Sequence, residues 1–319
     1  MMKSVLTLVA PPDRYRLSDA VVAVVAQHLH EDGAVLGEPV WLAEDAACDI
    51  PFDHLPTERA YQLAAATLAE LPVDYHAQLS EGRRKKLLLS DMDSTILANE
   101  TLDDLAEQAG IKDEIAAITA RTMAGELDFA QALTERVAML AQLPESALAT
   151  AFDRLTYSPG AATLVTTMRA NGAYTALVSG GFRYFTSKVA AKLNFDIDLA
   201  NDLEIAEGRL TGRLAGPILD ANTKLDTLTR LSAEKNISPA EAVTVGDGAN
   251  DIPMLREAGL GVAYQGKPIV RKAISCQINH TDLTTLLYFQ GYRISDFTNE
   301  NAAEAAARAG DDEQMTTGG

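Results

Sequence analysis

Asp91, Asp93, Ser94 and Thr95 stand together immediately after residues 87–90, an apolar run of strand length. Two carboxylates and two hydroxyls where a strand turns into a loop are a costly arrangement. Like charges this close need a shared proton or a cation, and a hard divalent ion such as Mg²⁺, which takes oxygen ligands, suits them. Taken singly, the segment also reads as a polar turn in which Asp93 or Ser94 caps a helix. Two further segments weigh against that reading. The apolar run 242–245 ends in Gly246-Asp247-Gly248-Ala249-Asn250-Asp251, with Pro253 placed for the first turn of a following helix. The run 174–178 ends in Ser179-Gly180-Gly181-Phe182, where glycines let backbone amides approach an anion and a following helix offers its positive end. In open α/β sheets, ligands bind outside the carboxyl ends of the strands, so three such ends predict one crevice holding a phosphate and a metal.

A transferring phosphoryl group needs a matching cation, and Lys224, at the start of an apparent helix, is the candidate. A lone lysine is more often a solvated surface residue. Competing nucleotide motifs fail. Residues 261–267 match Gly-x-x-x-x-Gly-Lys, but Pro268 stands where a Ser or Thr must hold Mg²⁺. Gly246-x-Gly248 lacks the third glycine of a dinucleotide fingerprint, because Asp251 is there and would repel a pyrophosphate. If 128–140 is a helix, Phe129, Leu133 and Leu140 form its apolar face and Arg136 falls within it. A guanidinium there wants an anion, or else snorkels or pairs with a neighbouring helix. Glu100 precedes a helix start in which Thr101 is the expected N-cap and Asp104 follows three residues on. A carboxylate and an arginine facing one crevice would suit a zwitterion, taking the ammonium and carboxylate of an amino acid respectively.

The elements that must position these residues follow from the hydrophobic pattern. Strand and helix alternate from about residue 87 to 289, which predicts a parallel sheet covered by helices. Residues 102–152 interrupt the alternation with four helices, an insertion expected over the sheet as a lid. The first 80 residues predict a small α/β unit. It has strands near 5–9, 40–43 and 73–76, a helix carrying Ala20, Val21, Val24, Val25 and Leu29 on one stripe, and a second helix at 58–71. Such a unit could regulate, dimerise or merely pack. Arg83-Arg84-Lys85-Lys86 reads as a linker flank, and the alanine-rich, then acidic, tail after 297 is expected to fray. The expected division is 1–82, a core of 83–99 with 155–297, a cap of 100–154, and a tail of 298–319.

Composition narrows the classes. The 319 residues carry 27 Lys plus Arg against 45 Asp plus Glu, a net charge of −18 that repels nucleic-acid phosphates and anionic lipid. With 47% apolar residues the chain can bury a sizeable core. No apolar run approaches the ~20 residues of a membrane span, and the start shows no signal-peptide cleavage pattern. Cys48 and Cys276 have no ligand spacing and suit a reducing, cytoplasmic interior. None of the five histidines adjoins the motifs.

Taken together, Asp91-Met92-Asp93-Ser94-Thr95, Ser179-Gly180-Gly181-Phe182, Lys224 and Gly246-Asp247-Gly248-Ala249-Asn250-Asp251 resemble the haloacid dehalogenase superfamily. The string Met123-Ala124-Gly125-Glu126-Leu127-Asp128-Phe129, with Glu100 and Arg136, is similar to its phosphoserine phosphatase family in particular, and the likeness runs from about 85 to 289. The resemblance implies a Rossmann-like core with a helical cap inserted after the first strand. It implies hydrolysis of O-phospho-L-serine to L-serine and phosphate, the last step of serine biosynthesis. Asp91 would attack phosphorus to give an aspartyl-phosphate, and Asp93 would act as general acid and then base. Mg²⁺ would be held by Asp91, Asp247 and the backbone carbonyl of Asp93. Ser179, Gly180 and Lys224 would bind the phosphoryl oxygens, Asn250 would touch phosphate or nucleophile, and Asp251 would orient Lys224 or complete the metal's outer shell. Glu100 would take the substrate ammonium, Arg136 its carboxylate, and Met123 and Phe129 would close the pocket. Longer members carry an ACT-type regulatory domain built βαββαβ, to which residues 1–80 are loosely similar. A homodimer is compatible with this reading. The alternatives are phosphotransfer from phosphoserine to another alcohol, a phosphatase of another small metabolite, a phospho-acceptor signalling domain, and an amino-acid-binding regulatory protein. The last explains residues 1–80 but not the carboxylate-rich strand ends.

Overall fold

The computed structural model describes residues 2–123, 126–219 and 221–298, without the side chains of Met123 and Ala221. The expected fraying of the tail therefore lies outside the described residues from 299 onward.

Residues 4–79 form β1 (Ser4–Val9), α1 (Asp19–Glu31), β2 (Val35–Leu36), β3 (Val40–Ala43), β4 (Ala47–Asp53), α2 (Thr57–Thr67) and β5 (Asp74–Leu79). The sheet is antiparallel, in the order β2-β4-β1-β5, with β3 also on β4. Since β2 and β3 both pair with β4, at Val35↔Asp53 and Val40↔Asp49, they are two pieces of one interrupted edge strand. The unit is thus βαββαβ, the ferredoxin-like arrangement. The sequence reading missed β4, whose Pro51 argues against an inner strand. Pro51 is accommodated because its carbonyl accepts from Gly37 N–H (2.8 Å), so its missing N–H faces the interruption between β2 and β3. The buried stripe of α1 is Val22, Val25 and Leu29, whereas Val24, expected on it, is 46% exposed.

The larger sheet has seven strands in the order β12-β11-β10-β6-β7-β8-β9. Its strands are β6 (Leu87–Ser90), β7 (Tyr174–Phe182), β8 (Ile197–Ala206), β9 (Arg209–Ala215), β10 (Ala242–Gly246), β11 (Leu260–Tyr264) and β12 (Gln277–Ile278). All pair in parallel except β9, which runs antiparallel to β8. This hairpin departs from the expected alternation. Its turn, Glu207 (φ 51°) and Gly208 (φ 71°), has the two positive φ angles that a tight hairpin demands. Leu87 and Leu89 face Leu228, Leu231 and Met254, while Leu88 faces the Leu164, Val165 and Phe185 layer. Both faces of β6 are therefore dry, which explains its unbroken apolar sequence.

Between β6 and β7 lie the four expected helices, α3 (Thr101–Ala109), α4 (Lys112–Met123), α5 (Phe129–Ala138) and α6 (Ser146–Phe152), followed by α7 (Ala161–Ala170). The remaining helices are α8 (Arg183–Leu193), α9 (Ala221–Lys235), α10 (Ile252–Glu257), α11 (Pro268–Ala273) and α12 (Thr285–Phe289). Helix α5 ends two residues before Leu140, which is buried beyond its last turn. No helix among the described residues is long and apolar enough to cross a membrane.

The two sheets are fastened through polar groups. The Asp74 carboxylate accepts from the backbone N–H groups of Asn279, His280 and Thr281 and from Thr281 Oγ1 (2.6 Å). Asp49 pairs with Arg83 (2.6 Å). In the same seam, the His76 ring lies 5.6 Å from that of Phe289, and its buried Nδ1 has no partner among the described residues. Burial, reinforced by Lys85, holds the His76 pKa down at about 4. From pH 6.5 down to about 4 the unfolded chain protonates this histidine and the folded chain does not, so folding is progressively weakened. The full difference amounts to about 3 kcal/mol below pH 4. His76→Phe should therefore lose less thermal stability than the parent between pH 7.5 and 4.5. Equal losses in the two proteins would show that His76 does not carry the effect.

Candidate active site

The parallel register decides whether the motifs meet. Ser90 pairs with Val245 on one side and Leu177 on the other, so Asp91, Gly246-Asp247 and Val178-Ser179 leave the sheet at one level and on one edge. After Asp91 the chain makes a tight turn, Met92–Ile96, in which Ser94 takes a left-handed conformation (φ 54°). This costs backbone energy, as is common where a site over-determines its surroundings. The turn sends Asp93 back toward β7. There Asp93 Oδ2 accepts from Ser179 Oγ (3.1 Å), and Oδ1 accepts from the backbone N–H of Thr101 (2.8 Å). Thr101 is therefore not the N-cap. Glu100 holds that position without a side-chain cap, and Asp93 satisfies the first amide of α3 instead.

Strand β7 runs on through Phe182 with irregular pairing, four residues beyond the strand expected at 174–178. The glycines answer to close approach. A Cβ on Gly180 would sit 2.9 Å from the Phe129 ring, and one on Gly181 would sit 2.7 Å from Asp93 Oδ2. The Gly181 N–H donates to Ser179 Oγ (2.8 Å).

Beneath the crevice lies a buried charge cluster. Lys224, 2% exposed, places Nζ 2.6 Å from Asp91 Oδ1 and 2.5 Å from Asp251 Oδ1. Asp251 Oδ2 accepts from Gly248 N–H (2.9 Å), so both its oxygens are engaged and it orients the lysine. Burial, the charge of Asp251 and that of Asp247 push the Asp91 carboxyl well above the usual range, and Lys224 offsets this only in part. For Lys224, burial opposes the charge, but Asp251 and Asp91 outweigh it and raise its pKa. Asp93 is raised to about 6 by burial and by the nearby Glu100. Carboxylate oxygens of Asp91, Asp247 and Asp251 lie within 4.8 Å of one another. An all-oxygen set short of positive charge fits a hard divalent cation.

A cavity of about 130 Å³ opens above, lined by Asp91, Asp93, Glu100, Phe129, Arg136, Ser179, Gly180, Asp247 and Asn250. Of the other residues expected here, Lys224 and Asp251 do not line the cavity but are buried behind Asp91, and the Met123 side chain lies outside the described residues. Arg136 is half-buried on α5, its Nε donating to Ala132 O (3.2 Å), and burial lowers its pKa against the opposing charges of Asp103 and Glu100. Glu100 accepts from Ser94 Oγ (2.8 Å). One cation was missed. Lys267, between β11 and α11, places Nζ 3.0 Å from Asp247 Oδ2 and 3.4 Å from Glu100 Oε1. It is the lysine of the rejected Gly-x-x-x-x-Gly-Lys match. Its place at the carboxyl end of another strand, just before Pro268 opens a helix, was the available signal.

The family profile of haloacid dehalogenase-like hydrolases matches residues 88–256. The chain is 37% identical over 294 residues to a phosphoserine phosphatase of Streptomyces coelicolor, an alignment spanning 91% of this chain and 70% of that protein. Among solved structures, a haloacid dehalogenase family hydrolase from Salmonella enterica serovar Typhi superimposes with a TM-score of 0.77 at 31% identity, over 90% of this chain and 98% of that one. A phospho-aspartyl intermediate analogue of phosphoserine phosphatase has a TM-score of 0.61 at 38% identity, over 65% of this chain and 99% of that one. With its carboxylate-bearing strand end, buried lysine and helical insertion, the chain belongs to the phosphoserine phosphatase family of haloacid dehalogenase-like hydrolases.

Proposed function

We propose that this protein hydrolyses O-phospho-L-serine to L-serine and phosphate through an aspartyl-phosphate at Asp91. One observation carries the reading. Asp91 and Asp93 share a cavity of about 130 Å³ with the carboxylate of Glu100 and the guanidinium of Arg136, groups of the two signs that an amino acid's ammonium and carboxylate call for. The relatives' names support it from outside.

Asp91 attacks phosphorus, forming its own O–P bond as the bond to the serine oxygen breaks. Asp93, held protonated up to about pH 6, delivers its proton to that oxygen. Water then attacks the aspartyl-phosphate, giving its proton to Asp93, and phosphate leaves. Ser179, Gly180 and Lys224 hold the phosphoryl oxygens, Asn250 approaches the same group, and Asp251 keeps Lys224 in place. Asp91, Asp247 and the Asp93 backbone carbonyl would hold Mg²⁺, which when bound supplies the positive charge that the phosphoryl group and the carboxylates need. Helices α3–α6 act as a cap, with Phe129 excluding water. Residues 1–82 are an ACT-type regulatory unit, a reading favoured by the βαββαβ arrangement, and a homodimer is compatible with it. The free thiols Cys48 and Cys276 favour the cytoplasm, and the reaction would be the last step of serine biosynthesis.

With Mg²⁺ present, phosphate release from phosphoserine should exceed that from sugar phosphates by about 10²-fold or more in kcat/KM. Arg136→Met should cost phosphoserine about 10–100-fold, the worth of one charge-assisted contact. It should leave an aryl phosphate nearly unaffected. Equal rates on phosphoserine and sugar phosphates would remove the substrate while leaving the reaction class.

A further inference from the structure

The site holds two lysines in opposite circumstances. Lys224 is 2% exposed and fixed between Asp91 and Asp251. Lys267 has a side chain 52% exposed, yet its Nζ reaches Asp247 Oδ2 at 3.0 Å and Glu100 Oε1 at 3.4 Å. Its main chain is anchored independently, since Lys267 N–H donates to Asp247 O (2.9 Å) and the residue precedes Pro268 at the start of α11. The ammonium can therefore swing into solvent without moving the backbone. It also touches the carboxylate of Asp247, one of those expected to ligate a divalent ion.

We propose that Lys267 is a tethered, displaceable cation that competes with the divalent metal for Asp247 and so sets the metal affinity of the site. The inference rests on the metal site of the proposed function. A divalent ion on Asp247 would stand within a few ångströms of the ammonium, and like charges that close repel. Metal binding must then loosen the Lys267–Asp247 contact, and the cost of doing so is subtracted from the affinity. Glu100, across the crevice on the α3 side, gives the displaced ammonium a second anchor, so the lysine need not leave the site altogether. Lys224 cannot play this part, because it is enclosed and its two partners fix it. Lys267 is a positioning residue acting through Asp247.

The test is Mg²⁺ binding by calorimetry on the full-length protein without substrate. Lys267→Met and Lys267→Gln should bind Mg²⁺ about tenfold more tightly than the parent, whereas Lys267→Arg, which keeps the charge, should stay within about twofold. A purely structural role would weaken binding or leave it alone, so a gain in affinity separates the two. Unchanged or weaker binding by both neutral variants overturns the proposal, as does a tightening in Lys267→Arg. Failure of both neutral variants to fold also overturns it, because the ammonium would not then be displaceable. Asp247→Asn distinguishes the underlying reading. Parent binding that Asp247→Asn abolishes upholds the metal site whatever Lys267 does. Absence of Mg²⁺ binding by the parent fails both.

Discussion

Asp91→Asn should release no phosphate from phosphoserine above background, a loss of about 10⁵-fold or more, because the variant lacks the attacking carboxylate and the cavity's other carboxylates, Asp93, Glu100 and Asp247, are assigned to proton transfer, the substrate ammonium and the metal. The substitution is nearly isosteric. An Asn oxygen can still accept from Lys224 Nζ, now 2.6 Å from Asp91 Oδ1, and the parent carboxyl is already pushed toward its neutral form by burial and Asp251. The variant should consequently fold with a melting temperature close to the parent's, so lost activity cannot be laid to lost structure. Phosphate release combined with intact-mass detection of a phosphoryl adduct checks both points. Residual turnover above about 1% would rule out Asp91 as nucleophile.

Asp93→Asn should lower kcat for phosphoserine by about 10²–10⁴-fold, the usual worth of a positioned acid–base group. The amide retains an oxygen to accept from Thr101 N–H, so the start of α3 keeps its partner. What it loses is a transferable proton, which the parent carboxyl keeps up to about pH 6 because it is buried and faces Glu100. The leaving group reveals the role. Serine departs as a poor alkoxide and needs the proton, whereas an aryl phosphate departs without it. Asp93→Asn should therefore still be phosphorylated by an aryl phosphate and accumulate the adduct, because the water-activating base is missing. A kcat for phosphoserine within tenfold of the parent would exclude the acid–base role.

Much of the core was legible because parallel strands buried on both faces read as unbroken apolar runs, and 87–90, 174–178 and 242–245 are such runs. The four-helix insertion was legible for the complementary reason, helical periodicity with no strand-like run between. Strand β4 was not, since Pro51 and two aspartates mask it. Its place depends on an interruption in the neighbouring strand, which belongs to another segment. The β8–β9 hairpin was also hidden, because Glu207 takes the positive φ more often signalled by Asn or Gly.

By itself, the sequence determined which side chains could do chemistry and that they end strands, since local patterning carries both. Only the tertiary structure decided which of them meet. Asp93 accepting from Ser179, the glycines of β7 yielding to Phe129 and Asp93, and Lys267 reaching Glu100 across 167 positions are contacts between distant segments. Coulomb and steric terms act over a few ångströms in space. Periodicity along the chain carries no trace of them until the strand register sets the distances.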